Sequence, residues 1–541
     1  MAVPTRKYDC LVIGGGHNGL IAAAYLARAG RSVGVLERRA VLGGCSVTEE
    51  LWPGYRVSTA AYVISLFVPG IISDLRLEDH RLKILPRRPS SYTPLPDGRS
   101  LLMGSDVEAT RAQIAAFSSR DAAAFPDYEA MLERVAGVLE PMLERPAPNP
   151  LPLPQGWRQR GLTERLRELG RCWPLYRLAG DLGDDLPEAI ELLTGAAGPI
   201  LERWFESEVL RATLATDAII GAFAPPSSPG TAYVLLHHVM GRAGGARGVW
   251  GYVQGGMGGL ADALERACQE LQVTIHREAP VVRILTDQGR VQGVELEDGS
   301  VFEAPVVASS IDAHQTFRRL CSPDALPADF LRAIDRIDYN SASAKVNLAL
   351  AEPPCFLADP SEGIAPHHHG TMHIGPTLDY IERAYDDAKY GHPSREPVLE
   401  CTMASALDPS LAPAGKHVMS IFVQYAPYTL ADGADWDANK EEFGDRCIEQ
   451  LARYAPNVPA AIEHRQVLSP PDIERIYGLT GGHIMQGAMD LNHLFFLRPV
   501  PGWADHRTPL GGLYLCGAAS HPGGGVIGAC GRNAAQAILR D

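Results

Sequence analysis

Gly14, Gly16 and Gly19, with Glu37 further along the chain, carry the spacing of a nucleotide-diphosphate site. Gly14 permits a tight turn, Gly16 lets backbone approach a pyrophosphate, and Gly19 allows a helix to pack closely on the preceding strand. The positive N-terminal end of that helix would face the phosphates. Glu37 can accept hydrogen bonds from ribose hydroxyls and would repel a 2′-phosphate. The ligand read from these residues is an unphosphorylated adenine dinucleotide, either NAD or FAD.

The positioning elements are legible around the motif. An apolar run from Tyr8 to Ile13 predicts a strand, an Ala/Leu-rich stretch to Gly30 a helix, and Ser32 to Leu36 a second strand ending at the acid. A glycine motif by itself is weak; its place between strand and helix, ahead of Glu37, makes it specific. Gly43-Gly44 then lets the chain pass beside the bound cofactor. Ordinary NAD dehydrogenases do not need this second pair, which tilts the choice toward FAD.

Near the other end, Gly523, Gly525 and Gly528 also spell a dinucleotide motif. No strand immediately precedes them and no acid follows at the needed distance. The better reading is a strand from Leu513, a ligand-hugging glycine loop and an Ala-rich helix to Leu539. The N-terminus of that helix would face the cofactor and could stabilise negative charge on a reduced flavin. His521, just before the loop, is the candidate for proton handling or flavin tuning, although a packing role fits the same position. Tyr62 and Phe67 read as core or as lining of a substrate tunnel, and His237-His238 as packing or pocket residues. His367-His368-His369 with His373 could suggest a metal, but Gly370 and the flanking Pro366 and Pro376 argue against the helix such a pair would need. No metal site is expected.

The whole chain sets limits on these readings. At 541 residues it suits two or three domains, and its 46% hydrophobic and 21% charged residues are ordinary globular values. A net charge of −15 without a basic block argues against nucleic acid as a partner. Only six lysines occur, at 7, 83, 345, 389, 416 and 440, a bias suited to a GC-rich bacterial genome. No secretory signal pattern is evident, and the most apolar stretch, Ala60 to Ile72, is interrupted by Pro69-Gly70. The expectation is a cytoplasmic protein with peripheral membrane contact. The ten cysteines form no CxxC, and Cys45 has no sequence neighbour before Cys172, which excludes a flavin-linked disulfide pair on the usual helix.

The order of blocks divides the chain into FAD-binding parts at 1–75, 246–320 and 496–541. A mostly helical insertion occupies 76–245 and a mixed substrate segment 321–495. The fold class is α/β: a discontinuous Rossmann-like FAD-binding domain with an inserted mixed α+β substrate domain.

These blocks, with the Trp204-Phe205-Glu206-Ser207-Glu208 and Gly370-Thr371-Met372-His373-Ile374 segments, resemble the phytoene desaturase-like (carotenoid/retinoid) FAD oxidoreductases, which share a fold with amine oxidases. The resemblance implies non-covalent FAD. It implies that Gly14, Gly16, Asn18 and Gly19 hold the pyrophosphate, that Glu37 holds the ribose, and that Gly43 and Gly44 line the cofactor. Val281 would pair its backbone with adenine. Gly517 and the loop Gly524, Gly525, Val526 and Ile527 would meet ribityl and flavin. The family's arginine beside the glycine doublet is absent, leaving Arg38 or Arg39 to supply that charge. Tyr425 and Tyr428 would form an aromatic wall near the flavin, as in amine oxidases. The implied activity is hydride transfer from, or isomerisation of, a small apolar substrate of polyene, isoprenoid or lipid-like type at flavin N5. A flavin amine oxidase using oxygen and an FAD-stabilised interaction protein without catalysis are the alternative readings.

Overall fold

The computed structural model describes residues 6–104, 106–147, 180–242 and 247–541, with Gly245 and scattered positions in 161–177. Most of the proline-rich 146–154 run lies outside the described residues. Short strands, apolar and largely buried except at the Thr274–His276 edge, form a five-stranded parallel sheet in the spatial order Thr274–His276, Val33–Leu36, Cys10–Ile13, Val306–Ser309, Leu513–Leu515. The chain grows outward from Cys10–Ile13 in one direction, then returns to pair on its other edge. The carboxyl ends of Cys10–Ile13 and Val306–Ser309 are therefore the point where a doubly wound sheet opens a ligand crevice. Strands drawn from residues 10, 33, 274, 306 and 513 onward make the domain discontinuous, as the sequence predicts.

Helix His17–Arg28 packs against two others, Gly258–Glu270 and Ala529–Arg540. His17–Arg28 and the C-terminal Ala529–Arg540 pack so closely that a Cβ on Gly531 would lie 2.2 Å from the Asn18 carbonyl oxygen. Asn18 Oδ1 also accepts the Gly531 N–H at 3.3 Å, which fixes the register of the two ends of the chain. A four-stranded sheet, including Val281–Asp287 and Arg290–Leu296, flanks this domain.

The second large sheet has seven strands in the order Ile462–Leu468, Ser343–Leu350, His417–Gln424, Val398–Thr402, Thr371–Ile374, Ser91–Pro94, Ser100–Met103. Its last two strands come from the start of the 76–245 segment: Ser91–Pro94 pairs in parallel with Thr371–Ile374, and the segment turns helical from Val107. Those strands are short and punctuated by proline, so their pattern is weak without the partner sheet. Helix Ser119–Leu143 is tied to the Trp204–Glu208 turn by Asp121, fully buried, which accepts the N–H groups of Glu206 and Ser207 at 2.9 and 2.7 Å. Among the described residues no helix is long and apolar enough to cross a membrane.

Two alanine substitutions test the interhelical contact. Gly531→Ala should lower stability by about 1–3 kcal/mol through overpacking, whereas Gly137→Ala, exposed within helix Ser119–Leu143, should raise it by about 0.5–1 kcal/mol. Chemical denaturation of both variants should give shifts of opposite sign. A neutral Gly531→Ala would remove the close contact from the account.

Candidate active site

The nucleotide half forms where backbone segments converge. Gly14 has φ +91°, and a Cβ on Gly19 would lie 2.1 Å from the Gly14 carbonyl, so both glycines are demanded by the turn and the helix packing. Gly16 differs: a Cβ there would meet nothing closer than 3.9 Å. The fold leaves room that a side chain would fill. Gly43 bridges to this turn, donating its N–H to the Gly15 carbonyl at 2.8 Å, and Gly44 follows with φ +59°. Ser310, at the end of the neighbouring strand, donates its hydroxyl to the carbonyls of Ile13 and Gly14.

Glu37 is buried and oriented from both sides. Oε2 accepts the Gly15 N–H at 2.7 Å and Oε1 the Arg39 N–H at 2.8 Å. Each oxygen keeps acceptor capacity for a ribose hydroxyl. The first helix begins without a side-chain cap or an acid in its first turn, so its leading N–H groups suit an anion. Two buried cationic or polar atoms at the same cavity lack partners: His17 Nε2 and Arg39 Nη1. Arg39 Nη1 is a donor suited to a pyrophosphate, and His17, kept neutral by burial, is one in the tautomer that carries its proton on Nε2. Of the two arginines weighed from sequence, Arg38 points its guanidinium at the carbonyls of Arg475 and Ile476, while Arg39 pairs with Glu49 and keeps Nη1 free. Val281 lines the cavity beside Ala279 and Pro280.

One cavity continues from this half to the C-terminal loop, where Ala518, Gly524, Gly525 and Val526 line it. Val526 has φ +56°, an unfavourable conformation for a β-branched residue that costs of order 1–3 kcal/mol and is held by its surroundings. Gly517 is required by the fold instead, since a Cβ would lie 2.1 Å from the Ser310 carbonyl. The Ile527 side chain is buried in the core beside the first helix.

Several sequence-derived pocket residues are displaced. His521 turns away from the cavity: Nε2 donates to the Met142 carbonyl at 3.0 Å, its ring lies 5.9 Å from that of Phe495, and burial holds it neutral with a pKa lowered to about 4. It anchors the helical insertion. Phe67 is fully buried behind Gly528, within core. Tyr425 is fully buried, donating its hydroxyl to the Ala224 carbonyl, and Tyr428 bonds Glu474, so neither forms a flavin wall. His237 supports the loop from behind, donating Nε2 to the Gly524 carbonyl at 3.1 Å; its neighbour His238 lines the cavity. In the His367–His369 turn, His368 uses both ring nitrogens on backbone groups, and His373 bonds Thr216.

Tyr62 stays in the cavity and shows what sequence reasoning missed. In the seven-stranded sheet Lys345, Phe422, Glu400 and His373 are successive cross-strand partners, so one rung presents them on one face. Tyr62 lies across that rung. Its hydroxyl donates to Glu400 at 3.1 Å, its ring is 6.0 Å from Phe422, and Lys345 Nζ sits 4.1 Å from its centroid. Lys345 donates to the Ala60 carbonyl, and burial lowers its pKa well below the ordinary lysine value. Glu400 is pushed up to about 8, mainly by burial and then by Asp217, itself raised to about 7 by burial. Both face a second chamber with Arg87 and His373 behind the rung. The signal for Lys345 was a lysine inside an apolar strand in a lysine-poor chain.

A parallel dinucleotide-binding sheet, an inserted mixed sheet and a cavity spanning both define a flavin-dependent oxidoreductase. The chain belongs to the flavin-containing amine oxidoreductase family, which it matches over residues 19–539. It is 45% identical to pyridine nucleotide-disulfide oxidoreductase domain-containing protein 2 of Rattus norvegicus, over 99% of this chain and 94% of the rat protein. It is 27% identical to hydroxyneurosporene desaturase of Cereibacter sphaeroides, over 98% and 97%. Cyclohexylamine oxidase of Brevibacterium oxydans shares the fold, with a TM-score of 0.57, 16% identity, and coverage of 98% and 99%. Relatives from rodents and bacteria leave the source untied to composition.

The open space at Gly16 separates ligand binding from folding. Gly16→Val should abolish flavin retention while leaving the melting temperature of the flavin-free protein unchanged. Absorbance of the purified variant and a thermal melt check this; stoichiometric flavin in the variant would remove Gly16 from the site.

Proposed function

We propose that this protein is a non-covalent FAD enzyme that dehydrogenates or isomerises an apolar, isoprenoid-like substrate. The observation that carries the reading is the composition of the cavity beyond the glycine loop: Leu66, Ile220, Trp250, Phe422, Ile484 and Met485 surround one buried amine. Such a lining favours a hydrocarbon and offers little to a charged one. The likeness to a relative named hydroxyneurosporene desaturase supports the same substrate class.

Gly14, Gly16, Glu37, Arg39 and the uncapped first helix would hold the ADP moiety, and Gly524 to Val526 would face the isoalloxazine. The flavin supplies a two-electron acceptor for a hydride. The chain's own residues do the rest. Leu66, Ile220 and Met485 exclude water and orient the substrate. Lys345, whose charged form burial disfavours, can accept a proton at Nζ when neutral, and the Tyr62 hydroxyl with Glu400 offers an onward path to the polar chamber behind. Because burial lowers the Lys345 pKa, the neutral base persists to lower pH than for an ordinary lysine and is lost as pH falls through that lowered value. Rate should decline on the acid side.

The Tyr62–Phe422 aromatic pair beside Lys345 favours a second reading, an amine oxidase using oxygen. Anaerobic mixing with polyene, monoterpene and amine panels separates the two. Bleaching of the oxidised-flavin band by an apolar alkene is the expected result, and bleaching by amines alone would overturn it. With the responding substrate, Lys345→Met should slow flavin reduction by about 10²–10⁴-fold, the range for loss of a general base. It should also flatten the acid limb of the pH profile; an unchanged limb would exclude Lys345 as the base.

A further inference from the structure

Arg498 is the largest fully buried side chain of the described residues, at 0% exposure. Its guanidinium is held by neutral groups. Nε donates to the Ala518 carbonyl at 2.9 Å, Nη2 to that of Met485 at 2.6 Å and Gln486 at 3.3 Å, and Nη1 to Ala488 at 3.0 Å. Nη1 also meets His493 Nδ1 at 3.1 Å, a ring that burial and this arginine keep neutral by lowering its pKa to about 3. Among the described residues no carboxylate is within ion-pairing distance of it. Asp490 acts only at longer range, and its own pKa is raised by burial and by Asp338.

Such a charge is costly to bury without a counter-ion. Its place gives it a use. Met485, Gln486 and Ala518, whose carbonyls it grips, line the cavity at the C-terminal loop, and a Cβ on Gly523 would lie 3.7 Å from its Nε. Arg498 therefore stands one backbone layer behind the wall assigned to the flavin ring. A hydride brings two electrons and one proton, so the ring gains one negative charge on reduction. In a low-dielectric interior a fixed cation nearby favours that state.

We propose that Arg498 sets the redox poise of the bound flavin, acting through its buried charge as well as clamping the 485–488 loop onto the glycine loop. The inference rests on the flavin reading above. Carbonyl dipoles solvate the cation without neutralising it, so the site keeps a positive charge that needs no ligand side chain. The absence of an acid in the first turn of the C-terminal helix leaves the same region positive.

The test is the midpoint potential of FAD-loaded protein, by dye equilibration, for wild type, Arg498→Gln and Arg498→Lys. Wild-type flavin should be easier to reduce than free FAD. Arg498→Gln should shift the potential negative, with the preference for reduced over oxidised FAD falling at least tenfold. Arg498→Lys should stay near wild type while holding FAD less tightly, since it keeps the charge and loses the fork. A Gln variant with unmoved potential, or a wild-type flavin harder to reduce than free FAD, would overturn the proposal; the second comparison decides the matter if the Gln variant does not fold. A wild-type protein that holds no FAD would overturn the flavin reading together with this one, whereas bound flavin of unmoved potential overturns this one alone.

Discussion

The structure depends on backbone meeting backbone without side chains between. Gly19 against the Gly14 carbonyl, Gly43 against that of Ser46, Gly517 against that of Ser310 and Gly531 against that of Asn18 all leave no space for a Cβ. These contacts draw segments from both ends of a 541-residue chain to the carboxyl edge of one parallel sheet. Ser310 joins two of the strands there by donating to Ile13 and Gly14. Where polypeptide packs this tightly, polar backbone can be aimed at an extended ligand, and one glycine, Gly16, is left facing space.

That convergence determines how the second sheet can act. The inserted sheet brings Lys345 and Phe422 to the far end of the same cavity, and Glu400 on the same rung faces the chamber behind. Tyr62, from the chain just after the glycine doublet, closes over the rung and ties the two sheets through Glu400. A buried amine, an aromatic floor and a buried acid thus lie where apolar walls strengthen electrostatic effects.

The nucleotide half was legible because its information is local. Turn, helix start and acid follow one another within residues 8–37, and each glycine has a separate steric or conformational reason. The reaction end was not. His521 looks catalytic by its nearness to the glycine loop, but side-chain direction decided its role, and it points to the Met142 carbonyl. Phe67 and Tyr425 are aromatic and near the site in sequence or by analogy, yet they are spent on core packing. Lys345 and Glu400 depend on strand register over long separations, and a one-residue slip would turn each to the opposite face. The strands at Ser91–Pro94 and Ser100–Met103 were hidden for a related reason, since they complete a sheet whose other members come hundreds of residues later.

One flavin cofactor would lie between the two ends of the chain, with its reactive ring against the rung of the inserted sheet. A crystal structure of the FAD-loaded protein tests this placement most directly. The account predicts the pyrophosphate at Gly16 and the N-terminus of His17–Arg28, the ribose on Glu37, and the isoalloxazine between Gly524–Val526 and the Lys345–Tyr62 pair. Ring density lying away from Lys345 and Tyr62, or a ribose not bound by Glu37, would contradict it.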